Sequence, residues 1–385
     1  MGGPLRGLRV VEFDAIGPVP FAGMLLADLG SDVVRVNRVD DARLPLGHPL
    51  EAIFAGTDFL GRGRRRLSLD LKQEDGLHCA LALIDQADVL LEGFRPGVAE
   101  RLGIGPDVCL SRNPRLIYGR MTGWGQDGPL AAAAGHDINY IALAGLLDVV
   151  GRAGQPPSPP LNLLGDFASG TMFLLLGVLG ALWERERSGR GQVVDAAIVD
   201  GAAVLNVLAY YFRSLGAWGD RGTNLVDSGA YFYDVYETAD GRYVSVGAIE
   251  PGFHAELLTR LGIDDVPPSE QFDAGRWQQR KSRLAEVFRT KSLAEWCSLL
   301  EGTDACVAPV LTMDEAPFHP HNVARGTYVE VGESLQPAPA PRLSRTVPIA
   351  GDVARPPGSD TDAVLREIGC SDSEIADLRA RGVVG

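Results

Sequence analysis

His136 and Asp166 are the two side chains whose types and settings best fit proton-transfer chemistry in this chain. His136 lies in Gly135-His136-Asp137-Ile138-Asn139-Tyr140, and Asp166 follows thirty residues later in Asn162-Leu163-Leu164-Gly165-Asp166-Phe167. Each segment leads into an apolar run of helical periodicity, Ile138–Leu147 and Thr171–Trp183. A helix start offers unpaired backbone N–H groups and the positive end of the dipole, which favour a developing oxyanion. A His and an Asp delivered to one pocket by two helix starts therefore suit acid–base chemistry beside an anionic intermediate. Glu250, in Val246-Gly247-Ala248-Ile249-Glu250-Pro251, is a candidate second carboxylate. Each residue also has an ordinary structural use. Asp166 fits the cap of a helix beginning near Ala168, His136 fits a hydrogen-bonded helix entry capped by Asp137, and Glu250 fits an exposed strand-end acid.

The elements that must position these residues are legible as alternation. Leu8–Phe13, Val33–Val36, Leu67–Leu71, Val89–Leu91, Leu116–Tyr118 and Gln192–Ala196 read as strands, with helices at Pro20–Leu29 and Gly76–Gln86. Strands alternating with helices predict an α/β fold with a mostly parallel, doubly wound, Rossmann-like sheet. There is no G-x-G-x-x-G after the first strand, no G-K-[ST] and no G-x-S-x-G, which argues against NAD binding and against an α/β-hydrolase. A Gly-rich and polar break at Gly216–Asn224 precedes two strand-like runs, Ala230–Glu237 and Arg242–Ile249, joined through Asp240-Gly241 as a hairpin. Helices are expected at His254–Leu261, Trp277–Arg289 and Leu293–Leu300, so this part reads as a smaller α+β domain. Gln336–Pro341 reads as a linker.

Composition narrows the function classes. With 385 residues the chain can hold two domains, and 45% apolar against 7% aromatic residues predicts an aliphatic core. A net charge of −14 disfavours nucleic acid and anionic membrane as partners, so an anionic ligand needs a local basic patch. Arg62, Arg64, Arg65 and Arg66 offer such a patch; a solvated loop before a strand is the alternative. Five scattered cysteines without a C-x-x-C pair suggest free thiols in a cytoplasmic setting, and His319 and His321 lack the neighbours a metal site requires. The longest apolar run, Phe173–Trp183, is too short to span a bilayer.

The chain resembles the α-methylacyl-CoA racemases, within family III of the CoA-transferases (the CaiB/BaiF type). The resemblance runs nearly end to end, through Val10-Val11-Glu12-Phe13, Ala27-Asp28-Leu29-Gly30, Ser68-Leu69-Asp70-Leu71-Lys72, Asn113-Pro114-Arg115-Leu116-Ile117-Tyr118, Gly191-Gln192-Val193-Val194-Asp195-Ala196 and Gly302-Thr303-Asp304-Ala305-Cys306-Val307. It implies inversion of the carbon next to a thioester carbonyl, with His136 and Asp166 as the two acid/base groups and Glu250 paired with His136. It implies Asn162 and Tyr233 in the substrate pocket. It places CoA against Arg38, Leu69, Asp70, Leu71, Lys72, Glu92, Gly93, Phe94 and Arg101, with Gly135, Asp137, Ile138, Asn139 and Tyr140 at the thioester end, and the Asp137 N–H on the enolate oxygen. CoA arrives with the substrate, so no separate cofactor and no metal are expected. The implied layout is a large discontinuous domain (1–215 and 321–385), a small domain (225–320), and an interlocked homodimer in which Glu250 and Tyr233 of one chain face His136 and Asp166 of the other. The same family resemblance keeps a CoA-transferase open, with Asp166 as nucleophile toward the thioester. A silent CoA-binding protein is a third reading. Two departures bear on the acyl pocket: Asp227-Ser228-Gly229-Ala230-Tyr231 where racemases usually read D-G-G-A-P, and the long segment Arg43–Phe59.

Overall fold

Valine-rich runs build the centre of the molecule. The computed structural model describes residues 2–39 and 58–385 and resolves the chain into two compact units, Met1–Ala144 with Leu161–Val204 and His321–Gly385, and Gly145–Pro160 with Leu205–Pro320. The first unit carries six parallel strands: β1 (Arg9–Phe13), β2 (Asp32–Asn37), β3 (Arg65–Ser68), β4 (Val89–Glu92), β5 (Ile117–Thr122) and β6 (Gln192–Ala197). Their order is β3-β2-β1-β4-β5-β6. The register sets Val10 beside both Val33 and Val89, and Leu90 beside Tyr118. Parallel strands buried on both faces need near-continuous apolar runs, which these valines and leucines supply.

Alternation along the strands divides the core into two layers. Val10, Val89, Leu91 and Ile117 pack with helices α1 (Pro18–Asp28) and α6 (Met172–Ser188). Val11, Phe13, Leu90 and Tyr118 pack on the other face with α2 (Glu74–Ile84), α4 (Pro106–Arg112) and the C-terminal helices α12 (Thr361–Glu367) and α13 (Asp372–Ala380). Two short helices complete the part of this unit that matters for the site: α3 (Val98–Arg101) and α5 (Asp137–Leu143). The helix start α7 (Ile198–Leu205) follows β6 directly.

Several expectations change. The third strand begins inside the arginine run, at Arg65, and ends at Ser68; beyond it the Leu69 N–H still bonds Asn37 of β2, while Leu69 bridges Val384 and the Asp70 N–H bonds Val383. The arginine run is neither a solvated loop nor an open anion patch. Arg62, Arg64 and Arg66 are 2–4% exposed, and bond Asp28, Glu12 and Asp58 respectively. Gly23 on α1 makes the room: a Cβ there would stand 1.9 Å from Glu12 Oε2 and 2.6 Å from Arg64 Nη1. Gln336 lies not in a linker but in a hairpin strand, Ser334–Pro337, paired with Tyr328–Val331, and its side chain accepts a bond from Arg62 at 3.1 Å. Ahead of α6 runs a π-helical stretch, Leu163–Thr171, so the continuous helix Leu163–Ser188 has 26 residues and is long and apolar enough to cross a membrane by length and composition. Here one of its faces (Leu174, Val178, Ala181) packs beneath the sheet, while Leu176 and Trp183 are exposed.

The second unit is built on an antiparallel sheet, β7 (Tyr233–Glu237), β8 (Tyr243–Gly247) and β9 (Val307–Pro309), with Gly241 at φ 71° in the β7–β8 turn. Helices α9 (Pro251–Leu261), α10 (Ala274–Phe288) and α11 (Leu293–Leu300) cover it through Leu257, Leu261, Leu284, Phe288 and Trp296. α8 (Val207–Ser214) belongs to this unit and has no buried residue. His319 pairs with Glu301 at 2.8 Å. Tyr231, one of the departures named above, is fully buried here and its hydroxyl meets His254 Nε2 at 2.6 Å. Most of the other departure, Arg43–Phe59, lies outside the described residues.

Candidate active site

The strand order reverses direction between β1 and β4, and in open α/β sheets the crevice beyond the carboxyl ends of such strands is where ligands bind. A cavity of about 520 Å³ occupies that place in the first unit. Asp14, Ala15 and Ile16 enter it from the end of β1, Arg38 from β2, Gly93-Phe94-Arg95-Pro96 from β4, and Met121-Thr122-Gly123-Trp124 from β5. His136, Tyr140 and Asp166 complete the wall. The volume falls in the range of small-molecule sites, roughly 300–1,000 Å³.

Local structure explains how each group arrives. His136 is the N-cap residue of α5, and its own N–H is held by the Asn139 side chain at 3.0 Å. Asp137 is thus the first helical residue and not the cap, and its carboxylate turns away to accept the Asp166 N–H at 2.6 Å. Asp166 lies in the first turn of the π-helical stretch, which begins at Leu163 rather than near Ala168. Such π segments occur often at functional sites. The Asp166 carboxylate has the Asn162 amide at 3.4 Å, and lies over Gly17, where a Cβ would come within 2.9 Å of Oδ2. Burial raises its pKa; Asn162 lowers it, the Asp137 charge raises it, and His136 lowers it. Tyr140, bonded to the Gly135 carbonyl, lies against Trp124 edge to face, and burial beside Asp166 raises its pKa.

The other expected residues divide. Gly93 and Phe94 line the cavity, but Glu92 is fully buried behind them. Its carboxylate accepts the Phe94 N–H at 2.7 Å and Arg120 Nε at 2.9 Å, so it shapes the turn that the cavity uses. Ile138 and Asn139 are exposed on α5 outside the cavity wall, as is Arg101 on α3. Leu69, Asp70, Leu71 and Lys72 form a separate strand-end segment: the Asp70 N–H bonds Val383, and its carboxylate accepts the Lys72 N–H at 3.0 Å. Glu250 and Tyr233 belong to the second unit, where Glu250 is the exposed N-cap residue of α9 and Tyr233 opens β7. Among the described residues no three His, Cys, Asp or Glu side chains gather as a metal site.

Sequence reasoning passed over Asp14, Ile16, Arg95 and Trp124. Asp14, Ile16 and Arg95 lie within three residues of the ends of β1 and β4, the strands that flank the reversal of strand order, and Trp124 lies two residues after β5 beside them, so they become visible once that order is known. Asp14 is fixed from behind by Arg35, whose Nε lies 3.0 Å from its carboxylate.

A parallel doubly wound sheet with a strand-end cavity carrying a histidine, two aspartates and two arginines defines an α/β protein with candidate acid–base groups at its topological switch point. The chain belongs to CoA-transferase family III, whose model matches residues 5–361. It is 47% identical over 384 residues to the alpha-methylacyl-CoA racemase of Mus musculus, covering 99% of this chain and 97% of that one. It is 44% identical to the alpha-methylacyl-CoA racemase of Homo sapiens over the same shares. Among solved structures, a CAIB/BAIF family protein from Brucella suis superposes with a TM-score of 0.79 at 26% identity, over 96% of this chain and 100% of that one.

Proposed function

We propose that the protein racemises 2-methylacyl-CoA thioesters, taking the α-proton from one face of the substrate and returning one to the other through an enolate. The observation that carries this reading is the convergence of His136 and Asp166 on one strand-end cavity. Similarity over the full chain to two proteins named as racemases supports it. An α-proton beside a thioester is weakly acidic, so the reaction needs a base on each face and donors where the enolate charge appears. Burial raises the proton affinity of Asp166, which suits it to take up a proton as well as to give one. His136 serves the opposite face, and the Asp137 N–H, without an intrahelical acceptor at the start of α5, faces the enolate oxygen. Arg38 and Arg95 suit the phosphates of CoA, which the substrate itself brings; the chemistry calls for no further cofactor.

In this reading the first unit is the CoA-binding domain and the second a smaller domain. The active form is an interlocked homodimer, in which Glu250 and Tyr233 of one chain complete the His136–Asp166 site of the other. Exposed apolar side chains on α6 and α8, among them Trp183, Leu208 and Tyr211, support a buried role in an assembly. The protein works in the cytoplasm, without nucleic acid or membrane as partner. Incubation with (2R)- and (2S)-2-methylacyl-CoA in D₂O tests the activity: both should gain α-deuterium and converge on one mixture. Transfer of CoA to a free acid with the α-proton retained, and a hydroxylamine-trapped acyl group on Asp166, would establish the transferase instead.

A further inference from the structure

We infer that the Asp137 carboxylate is the positioning residue that fixes the Asp166 base, locking the π-helical turn that carries it to the start of α5. The inference deepens the racemase reading and rests on it. Asp137 is 7% exposed, and its Oδ2 accepts the Asp166 N–H at 2.6 Å. The neighbouring Gly165 N–H acts on the same carboxylate, lowering its pKa against the rise from burial. One side chain thus holds the N–H of Asp166 itself, while its own backbone is joined directly to His136. The spacing of the two bases therefore runs through a single residue.

The fit leaves no slack. A Cβ on Gly165 would stand 2.1 Å from Asp137 Oδ2 and 2.5 Å from Cγ, so the approach requires glycine there. Gly165 is buried and its φ is not in the left-handed region, so alanine would be opposed by this contact and not by the backbone. Asp137 Oδ1 is buried without a hydrogen-bond partner. A carboxylate kept there at that cost is retained for what its other oxygen does and for its charge. That charge acts on Asp166 in the direction opposite to His136. The remaining charged and titratable groups around the same cavity are Tyr140 on α5, Arg95 after β4, Asp14 after β1 and Arg38 after β2.

Four variants test this. Asp137→Ala should lower α-deuterium wash-in from both enantiomers by roughly 10²-fold, the scale of a displaced catalytic group, with KM little changed. Gly165→Ala should reproduce that loss with the carboxylate still present. The double variant Gly165→Ala/Asp137→Ala should be no slower than Asp137→Ala alone, since the smaller side chain makes room for the added methyl. Asp137→Asn keeps an acceptor oxygen and removes the charge. The acid limb of its kcat/KM profile should move to lower pH, as should the ¹³C carboxyl titration of Asp166, assigned by its disappearance in Asp166→Asn. A purely structural role would leave that titration in place. Additive losses in the double variant, or an unmoved Asp166 titration in Asp137→Asn, overturn the inference. Failure of the wild-type protein to exchange the α-proton overturns the racemase reading, and the carboxyl titration still decides whether Asp137 governs Asp166.

Discussion

The arginine network under β1–β3 and the His136–Asp166 cavity hold charged groups in opposite ways. In the network, Glu12 is reached by Arg64 and Arg35, Asp28 by Arg62, and Asp58 by Arg66 and Arg35, with all four guanidinium groups nearly inaccessible. At the cavity, Asp166 has one long contact to the Asn162 amide, and His136 is exposed. Charges buried with partners fix the sheet to α1, because removing either partner strands the other in a low-dielectric interior. Charges left with few partners at a cavity wall keep a proton that can move. In the proposed mechanism, similar residue types thus serve architecture in one place and chemistry in the other, and the number of fixed partners separates them.

The largest effect is expected from breaking the network. Arg64→Ala leaves Glu12 buried with Arg35 as its other cation, and should destabilise the protein by about 3–5 kcal/mol in urea unfolding. A loss below about 1 kcal/mol would place this pair with the weak surface ion pairs and erase the contrast.

At the cavity the effect should fall on rate instead. His136→Ala and Asp166→Ala should each cut racemisation roughly 10²–10⁴-fold while the melting temperature stays near wild type. Each remaining base can still remove and return a proton on its own face, so residual wash-in should favour opposite enantiomers in the two variants. Undiminished racemisation in either variant would exclude that residue as a base.

The second unit offers a buried titratable group of the architectural kind. His254 is 1% exposed, and burial pulls its pKa from 6.5 down to about 4, with Arg280 adding in the same direction. The unfolded chain therefore binds the extra proton between those values. The stability is fully present above pH 6.5 and is lost as pH falls toward 4, by about 3 kcal/mol. His254→Gln should flatten that part of the stability curve; an unchanged slope would assign the acid sensitivity elsewhere. The smallest change expected is a gain. Ser228 holds φ 77°, with Lys281 bonded to its carbonyl. Ser228→Gly keeps that bond, relieves the left-handed strain and should stabilise by roughly 1 kcal/mol, read as a raised melting temperature.

Much of this was legible in local sequence. Leu8–Phe13 matches β1 from Arg9 on, Val33–Val36 and Val89–Leu91 lie in β2 and β4, and Leu293–Leu300 is a helix from end to end. Asp240-Gly241 marks the β7–β8 turn. These depend on propensity and periodicity within a few residues, which a chain carries wherever it is placed. His136 and Asp166 could be selected as a pair, and the strand-end rule would have added Asp14 and Arg95 had the strand order been known.

What only the tertiary structure decided depends on partners far away in the chain. The arginine run became interior because Asp28, Glu12 and Gln336 meet it, the last from 274 residues away. Gln336 became a strand residue because Tyr328–Val331 pairs with its segment. Asp166 entered a π turn whose N–H groups are held by a carboxylate 29 residues earlier, and not a helix with itself as cap. Sequence fixes which groups a residue can offer. Which of them are satisfied depends on long-range packing, and that difference separates the buried, paired charges of the arginine network from the sparsely partnered ones at the cavity.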